Sequence, residues 1–453
     1  MQLDIHSSTE LSDVAKLFYG DDFPNIFLAQ DGQTFDVYVG ENSYHFEYTD
    51  GVYSIMPQDH ADKRLAKIAV YDALVDYTGR IMPWGALTGV RPTKLFYECM
   101  GLGYSVDESK SLMQKIYRVS EARADVLKKI ILSQSGNVRF APEYINLYVH
   151  IPYCTTRCSY CSFVSMPIDK CKKQSEDYVL RLCDEIKASL DLLKNHGKKI
   201  LSVYIGGGTP TAIDDHLFDM LLSALGNFDC EYTCEAGRPD TVTAEKCNIM
   251  RAHGVTRVCV NPQTLNEKTL ELIGRRHSVQ QFFDAYEAVK NRGFDINCDL
   301  IAGLPEETAD DFVTSFEAIR ALKPDNITVH SLSKKNGSAL RYSDRSNKQT
   351  YAMLDYALSN MGEYAPYYLY RQKRQECNLE NVGLSLPNKT CVNNITTMEE
   401  TVSVMACGAG AISKVIGNGT ITRFANMRDV GQYISRYDER LKAKLNYFSS
   451  QFK

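Results

Sequence analysis

The stretch Tyr148-Val-His-Ile-Pro-Tyr-Cys154-Thr-Thr-Arg-Cys158-Ser-Tyr-Cys161-Ser-Phe163 places three cysteines at the spacing C-x3-C-x2-C, directly after a short apolar strand. Soft thiolate ligands suit iron–sulfur clusters, and three thiolates from one loop can hold three irons of a [4Fe–4S] cube. The fourth iron then has no protein ligand within the motif. The spacing therefore predicts a cluster on Cys154, Cys158 and Cys161, with one iron open to a small chelating molecule.

Three other interpretations of these cysteines stay open at this point. Zinc could be held by a Cys3His set that adds His150, although structural zinc sites usually pair two knuckles and no second knuckle is obvious. A disulfide is a weaker alternative, because the chain has 14 Cys but no secretory leader, and cytosolic thiols are usually reduced. The three cysteines could also be unrelated buried side chains, as we expect for most of the others.

The composition describes an ordinary globular protein. With 453 residues the chain should hold two or three domains, and its 44% hydrophobic and 24% charged residues are typical of folded proteins. The net charge of -5 argues against general nucleic-acid binding, which requires a basic face. No apolar run approaches the ~20 residues of a membrane span, and the first residues resemble no leader. We therefore expect a cytoplasmic protein, in a compartment that also suits an oxygen-sensitive cluster.

The residues before the cysteine motif, 1–140, predict an N-terminal α+β accessory domain. Apolar and polar residues alternate over 27–55 with intervening turn signals, which indicates a small antiparallel sheet. Helical apolar spacing follows over 59–77, and residues 94–135 predict two or three further helices.

Residues 141–332 repeat a pattern of strand, loop and helix, which predicts the core. Repeated βα units imply a parallel sheet with helices outside and right-handed crossovers. Six units are fewer than the eight of a closed barrel, so the predicted fold is an α/β open (β/α)6 partial TIM barrel. Beyond it, 333–453 predict a mainly helical C-terminal region that covers the substrate. The core strands are expected at 145–151, 201–206, 231–236, 256–261, 295–301 and 326–331.

Period-2 alternation gives several of these strands a polar face. Parallel strands that are buried on both faces normally form unbroken apolar runs, and barrel enzymes place their active sites at the carboxyl ends of the strands. We therefore expect a polar-lined cavity there, the alternative being polar side chains that satisfy one another in the core. The polar sets include Asn146, Tyr148 and His150 in the first strand, Arg257, Cys259 and Asn261 in the fourth, and Asn326, Thr328 and His330 in the last.

Further residues with chemical potential lie at the ends of the predicted strands. Residues 206–208 are three glycines after the second strand, followed by Thr209, and glycine lets backbone groups approach a ligand closely. Each of the remaining residues could be a cap or loop residue on its own. Together, in this order, they predict a binding site; they are Glu235, Gln263, Arg275 and Asp299.

These motifs resemble those of the oxygen-independent coproporphyrinogen III oxidase family of radical S-adenosylmethionine (SAM) proteins. Two outlying stretches, 84–94 and 370–383, resemble the branch of HemZ-type coproporphyrinogen dehydrogenases. The resemblance in the core rests on Tyr148-Val-His-Ile-Pro152, Gly206-Gly-Gly-Thr-Pro-Thr211, Glu235, Gln263, Gly274-Arg-Arg-His277 and Asp299-Leu-Ile-Ala-Gly-Leu-Pro305.

The resemblance implies both the cofactors and the reaction. A low-potential donor of the flavodoxin or ferredoxin type would reduce the cluster, and the SAM sulfonium would be split to a 5′-deoxyadenosyl radical. That radical takes a hydrogen from a propionate, and loss of CO2 and one electron leaves a vinyl group. Two such conversions give protoporphyrinogen IX, with no catalytic residue beyond cluster and SAM. The cluster would lie on Cys154, Cys158 and Cys161, and SAM on Tyr148, Gly207, Gly208, Thr209, Glu235, Gln263, Arg275 and Asp299.

Phe163 departs from the pattern of the best-known oxidases, which carry a fourth cysteine two positions after the third. Heme chaperones of the same family have phenylalanine there. The sequence therefore leaves two alternatives open, a heme-binding chaperone that retains the cluster and a radical SAM methyltransferase or ring-opening enzyme that acts on heme. In each case we expect a tetrapyrrole ligand and a monomer that binds no nucleic acid.

A tyrosine-rich segment stands out in the C-terminal region. Tyrosine faces with flanking cations suit a macrocycle that is apolar in its middle and carries four carboxylates. The alternative, which we favour, is an ordinary strand or helix edge followed by solvated basic residues. Residues 408–413, Gly-Ala-Gly-Ala-Ile-Ser, predict close backbone packing. The tyrosine-rich segment consists of Tyr364, Tyr367, Tyr368 and Tyr370, followed by Arg371, Lys373 and Arg374.

Overall fold

A computed structural model of the chain describes residues 2–51, 53, 58–89, 91–163, 165–333, 349–372, 379–417 and 419–452. The chain divides into two units, which are residues 1–133 with 369–380 and residues 134–368 with 381–453. The domain boundaries expected after residues 140 and 332 remain predictions. Among the helices of the described ranges, none has both the length and the apolar character that a bilayer crossing requires.

The first unit combines an antiparallel sheet with helices, as the sequence predicts. Its strands pair in sequence order, and its second helix and its last three helices lie where helical spacing indicates them. Its strands are β1 (Gln2–Asp4), β2 (Ile26–Asp31), β3 (Thr34–Val39) and β4 (Asn42–Glu47). Its helices are α1 (Thr9–Tyr19), α2 (Gln58–Thr78), α3 (Pro92–Gly101), α4 (Val106–Tyr117) and α5 (Glu121–Ser133).

A buried charged cluster joins the two outlying stretches on which the HemZ-type resemblance rests. The carboxylate of Glu380 accepts a hydrogen bond from Trp84 Nε1 at 2.6 Å and lies 2.7 Å from Arg123 Nε. Arg371 donates to the Leu87 carbonyl at 2.7 Å and lies over the Trp84 ring. Burial lowers the pKa of Arg371 to about 10, against the opposing charge of Glu380. Because buried charges require partners, this cluster holds Trp84 and Leu87 against Arg371 and Glu380.

The second unit is built on parallel strands that alternate with helices. The apolar side chains of the first strand, including Leu147, Val149 and Ile151, are fully buried, as expected for a strand covered on both faces. The strands are β5 (Tyr144–Ile151), β6 (Tyr153–Cys154), β7 (Met166–Pro167), β8 (Lys199–Gly207), β9 (Glu231–Cys234), β10 (Arg257–Cys259), β11 (Asp295–Ala302) and β12 (Asn326–Ser331). The helices are α6 (Lys172–Asn195), α7 (Asp215–Leu225), α8 (Ala244–Ala252), α9 (Glu267–Leu272), α10 (Val279–Lys290) and α11 (Ala309–Leu322).

Six of these strands form the predicted open (β/α)6 core. These six strands pair in parallel with one another in chain order; they are β5, β8, β9, β10, β11 and β12. Several helices of the unit begin with a side-chain cap; Thr308 and Asp311, for example, form a reciprocal capping box at the start of α11. All six expected strands are confirmed, and their carboxyl ends meet at one edge of the sheet.

The C-terminal region contains more strands than the sequence led us to expect. Its helices are α12 (Thr350–Ser359), α13 (Val392–Glu399), α14 (Val430–Ser435) and α15 (Tyr437–Gln451). Its strands are β13 (Ala365–Arg371), β14 (Glu380–Ser385), β15 (Ser403–Cys407), β16 (Ile412–Gly417) and β17 (Thr420–Ala425). They extend the core sheet on both sides, in the order β13-β14-β12-β11-β10-β9-β8-β5-β15-β16-β17.

Most of the tyrosine-rich segment forms β13 and is buried, with Tyr364 just before the strand. Arg371, which the sequence interpretation treats as solvated, is buried at the end of β13. The Tyr364 hydroxyl donates to the Pro324 carbonyl at 2.6 Å, and the Tyr367 hydroxyl accepts from Asn394 at 3.1 Å. These contacts support the interpretation of an ordinary strand rather than that of a surface that binds the substrate. Lys373 and Arg374 lie outside the described residues.

Candidate functional site

The three cysteines of the motif follow β5, with Cys154 at the end of the short strand β6 and the other two on the loop beyond it. Cys154 and Cys158 are buried, and Cys161 is half-buried. Burial raises the pKa of the Cys161 thiol, and the charges of Cys158 and Cys154 raise it further. In the described ranges no three His, Cys, Asp or Glu side chains are drawn together at metal-binding distances. The cysteines of the described residues are free thiols, which gives the disulfide alternative no support.

Neighbouring loops hold the cysteine loop through hydrogen bonds. The Oγ1 atom of Thr209 lies 3.2 Å from Cys154 Sγ, and the N–H of Thr209 donates to the Tyr153 carbonyl at 2.6 Å. On the other side, the N–H of Ser159 donates to the carbonyl of Ile273 at 2.9 Å. The loops that follow β8 and α9 therefore both fix the cysteine loop.

The glycines after β8 pack against the protein's own first strand. Gly207 has a φ of +103°, and a Cβ atom there would lie 2.3 Å from the ring of His150. A Cβ atom at Gly208 would lie 2.2 Å from the Tyr153 carbonyl oxygen. Burial lowers the pKa of His150 to about 4, opposed by a backbone hydrogen bond at Ala409. Because His150 packs against Gly207 and Ala409, the zinc alternative gains no support from it.

Glu235 lies just beyond β9 among aromatic side chains. The Tyr204 hydroxyl donates a short hydrogen bond to its carboxylate, and the ring of Tyr148 stacks on Tyr204 with centroids 6.2 Å apart. Burial raises the pKa of Glu235 to about 7; the Tyr204 hydrogen bond opposes this rise, and the charge of Asp299 adds to it. Tyr148 and Glu235 thus share Tyr204 as a neighbour, and the charge of Asp299 acts on Glu235.

Polar side chains of its own strand and of the adjacent strand ends orient Asp299. Its carboxylate accepts from Asn297 Nδ2 at 2.7 Å and lies 3.6 Å from His330 Nε2, while its N–H donates to Asn261 Oδ1 at 3.2 Å. Gln263 joins this group because its N–H donates to the Asp299 carbonyl at 2.9 Å. Gln263 is buried with a φ of 69°, and its Oε1 atom has no hydrogen-bond partner in the described part of the chain.

Arg275 contacts both the strand ends and the cysteine loop. Its Nη2 donates to the carbonyls of Gly237 and Asn261 at 2.6 and 2.7 Å, and its Nη1 donates to the Tyr160 hydroxyl at 3.0 Å. Its buried Nε atom has no partner among the residues that the structure describes. Tyr160 itself packs against a core cluster that includes Ile273. Backbone carbonyls therefore already accept several of the hydrogen bonds that the Arg275 guanidinium can donate, although we expect this group to bind a carboxylate.

The predicted polar face serves two purposes at the two ends of the strands. Near the amino ends, Asn146 donates to Thr396 Oγ1 at 2.9 Å and accepts from Ser202 Oγ at 2.8 Å, and buried Arg257 lies 3.6 Å from Glu231. These polar groups satisfy one another, as the alternative interpretation proposes. Near the carboxyl ends, Asn261 and His330 contact Asp299 instead.

Sequence reasoning missed several residues of this site. Arg238 and Asp240 follow β9 and contact the cysteine loop, while Asn297 contacts Asp299. A sequence signal was available for Arg238 and Asp240. Both residues come shortly after a predicted strand, and the carboxyl end of that strand lies at the same edge of the sheet as the cysteines. No comparable signal singled out Tyr160, which lies within the cysteine motif.

Comparison with known proteins identifies the family. Residues 148–319 match the radical SAM superfamily. Over 419 residues the chain is 33% identical to the oxygen-independent coproporphyrinogen-III oxidase-like protein HemZ of Bacillus subtilis, covering 88% of this chain and 84% of that protein. The chain belongs to this oxidase-like family of radical SAM proteins.

Two further proteins resemble the chain, one in sequence and one in fold. The heme chaperone HemW of Haemophilus influenzae is 26% identical over 332 residues, which cover 68% of this chain and 82% of that protein. Coproporphyrinogen III oxidase of Escherichia coli shares the fold, with a TM-score of 0.54 and 22% identity over 68% of this chain and 72% of that chain.

As a radical SAM protein of the oxidase-like family, the chain uses a [4Fe–4S] cluster and SAM. Three thiols on one loop form a donor set with the softness that such a cluster requires. Buried polar atoms that lack a partner in the described ranges, Gln263 Oε1 and Arg275 Nε, suit a polar ligand at the same edge of the sheet. The residues present therefore fit both groups, while the assignment of each residue remains a prediction.

Proposed function

We propose that the chain catalyses the oxygen-independent oxidative decarboxylation of coproporphyrinogen III to protoporphyrinogen IX. The observation that carries this proposal is the 33% identity to the oxidase-like protein HemZ over 88% of the chain. Each of two propionates would lose a hydrogen atom and CO2, would pass one electron to an external one-electron acceptor, and would become a vinyl group. When bound, the reduced cluster and SAM supply the 5′-deoxyadenosyl radical that takes the hydrogen atom.

In this proposal the cysteine loop and the strand ends have separate roles. Cys154, Cys158 and Cys161 ligate three irons of the cluster. The remaining residues hold SAM; its amino group and ribose suit the carboxylates and amides, and its carboxylate suits Arg275. These residues are Tyr148, Gly207, Gly208, Thr209, Glu235, Gln263, Arg275 and Asp299.

The surroundings of Glu235 and Asp299 support this role because both carboxylates are held by other side chains. Tyr204 donates to Glu235, and Asn297 and Asn261 fix the Asp299 side chain and backbone. Such fixed acceptors bind a ligand without much loss of side-chain entropy. A low-potential flavodoxin or ferredoxin would supply the electron to a monomer in the cytoplasm, a compartment that keeps thiols reduced.

A heme-binding chaperone is the second candidate function. The 26% identity to HemW favours it, as does Phe163, which occupies the place of a fourth cysteine and is 59% exposed beside the cysteine loop. An exposed aromatic ring is a suitable contact for a flat macrocycle. In this alternative the cluster is retained but no propionate is decarboxylated.

Anaerobic turnover with purified, cluster-loaded protein separates the candidates. The protein is incubated with SAM and dithionite and is offered coproporphyrinogen III or heme in separate reactions. We expect divinyl product from coproporphyrinogen III, with two molecules of 5′-deoxyadenosine for each molecule of product. Stoichiometric heme binding without product would support the chaperone, and a methylated or linear tetrapyrrole would support a heme-modifying enzyme. A Cys158→Ala sample is the matched control for chemistry that does not depend on the cluster.

A further inference from the structure

An arginine–aspartate pair follows β9 and lies against the cysteine loop. Arg238 is 2% exposed, and its guanidinium holds the Asp240 carboxylate through two bonds, from Nε at 3.0 Å and from Nη2 at 3.2 Å. This two-bond arrangement fixes the orientation of the guanidinium as well as its position. Its remaining nitrogen, Nη1, therefore points in a defined direction.

Both members of the pair contact the cysteine loop. Arg238 Nη1 donates to Thr156 Oγ1 at 2.9 Å and lies at 3.5 Å as a donor to Cys158 Sγ. Asp240 accepts from the Thr155 hydroxyl at 3.1 Å. The positive end of the pair thus meets the sulfur of a predicted cluster ligand, and the negative end meets a neutral hydroxyl.

We propose that Arg238 tunes the reduction potential of the cluster through its hydrogen bond to the Cys158 sulfur, and that Asp240 moderates this effect. Reduction adds negative charge to the cluster, and a nearby cation or an N–H···S bond stabilises that charge and raises the potential. The effect is strong in a buried site, where the effective dielectric constant is low. Arginine keeps its charge at all relevant pH values, so the tuning is permanent. The inference rests on the proposed ligation of the cluster by Cys158.

Substitutions of the two members of the pair should shift the reduction potential of the cluster in opposite directions. Arg238→Met removes the donor and leaves the Asp240 carboxylate near the cluster, so the potential should fall. Asp240→Asn keeps the hydrogen-bonding shape but leaves the Arg238 charge unneutralised, so the potential should rise. A purely structural role would shift both variants in the same direction or in neither.

The experiment is a redox titration of the full-length, anaerobically reconstituted protein, followed by electron paramagnetic resonance of the reduced cluster. We expect the ratio of reduced to oxidised cluster at a fixed potential to change by on the order of tenfold in each variant, which is about 59 mV for one electron. Arg238→Lys keeps the charge without the two-bond geometry, so its potential should lie between those of the wild type and Arg238→Met. Arg257→Met is the control, because Arg257 is equally buried beside carboxylates but lies at the amino ends of the strands.

Each outcome distinguishes tuning of the cluster potential from a purely structural role of the pair. Opposite shifts support the proposal, and unchanged potentials or shifts in one direction overturn it. If Arg238→Met loses its cluster, Asp240→Asn alone decides, since a rise supports tuning and no rise overturns it. Loss of the cluster from both variants would assign the pair to loop folding and would also overturn it. A wild-type protein that binds no cluster would overturn the proposed function itself.

Discussion

The Oγ1 atom of Thr209 lies 3.2 Å from the Sγ atom of Cys154, although 55 residues separate them in the chain. The contact joins the glycine-rich loop after β8 to the first cysteine of the motif. Because Thr209 also donates its N–H to the Tyr153 carbonyl, both its backbone and its side chain fix the start of the cysteine loop. The two motifs that the sequence shows separately therefore form one site.

Replacing Thr209 by valine should weaken the hold on the cluster without unfolding the protein. The change keeps the shape of the side chain but removes a hydrogen bond of about 1 kcal/mol. We expect iron to be lost to a chelator roughly fivefold faster, as followed by the cluster's visible absorption. Thr209→Ser should behave like the wild type. Thr211→Val is the control because Thr211 is also buried but bonds to Thr241; equal losses from both valine variants would contradict a specific role.

Cys158→Ala should abolish the cluster. Two thiolates on the loop leave too few protein ligands for a cube that three thiolates hold. We expect iron and sulfide analysis of anaerobically purified Cys158→Ala to show loss of nearly all the iron, with no SAM cleavage. Cys234→Ala, in the buried strand β9, is the matched control and should keep the wild-type iron content. Wild-type iron in Cys158→Ala would show that the ligand assignment is wrong.

The core of the fold could be predicted because its signals are local. Each of the six strands carries apolar residues at alternate positions or in a short run, and Leu147, Val149 and Ile151 are buried as that pattern requires. The local sequence of β15 does not show where this strand lies in the sheet, because β15 pairs with β5, which is more than 250 residues away in the chain. Pairing at that distance depends on packing in the whole unit, which periodicity does not encode.

The sequence indicated individual residues of the candidate site, but it did not indicate which side chains would contact them. Glu235 and Asp299 stand at recognisable strand ends, yet the partners Tyr204 and His330 depend on the alignment of neighbouring strands. Asn146 shows the reverse error, because its polar side chain suggested a cavity and instead satisfies Ser202 in the core. Period-2 alternation fixes the face of a residue but not its level along the sheet.

Glu235 should make both stability and SAM binding depend on pH. Burial holds its pKa at about 7, so the folded chain keeps a proton that the unfolded chain releases at lower pH. The unfolded state then binds fewer protons, and the free energy of unfolding contributed by Glu235 falls as the pH rises towards 7. An ionised Glu235 accepts hydrogen bonds better, so SAM affinity should rise through the same range.

Two measurements from about pH 5 to about pH 8 check this prediction. Denaturant unfolding of the cluster-free protein gives the stability slope, and anaerobic calorimetry of the loaded protein gives SAM affinity. Glu235→Gln should reduce both slopes, whereas Glu176→Gln, at an exposed position on α6, should leave them unchanged. Slopes that persist in Glu235→Gln would assign the titration to another group.

The C-terminal helix α15 should depend on one buried ion pair. Lys444 Nζ donates to Glu185 at 2.7 Å and to the Ala406 carbonyl at 2.8 Å, and both charged side chains are buried. Glu185 also accepts from the N–H of Gly408 and from the Tyr433 hydroxyl, at 2.9 and 2.6 Å. Although burial raises the pKa of Glu185, the charge of Lys444 and these hydrogen bonds together lower it, so the carboxylate stays ionised.

Lys444→Met should therefore lower the free energy of unfolding by about 3–5 kcal/mol, because it leaves that ionised carboxylate buried without a cation. Lys442→Met, on the exposed side of the same helix, should change it by less than about 0.5 kcal/mol. The double variant Glu185→Gln/Lys444→Met removes both charges and keeps an acceptor for Gly408 and Tyr433, so it should recover most of the loss. Failure of the double variant to recover in denaturant unfolding would mean that Lys444 acts mainly through its bond to Ala406, since that bond is absent from both variants.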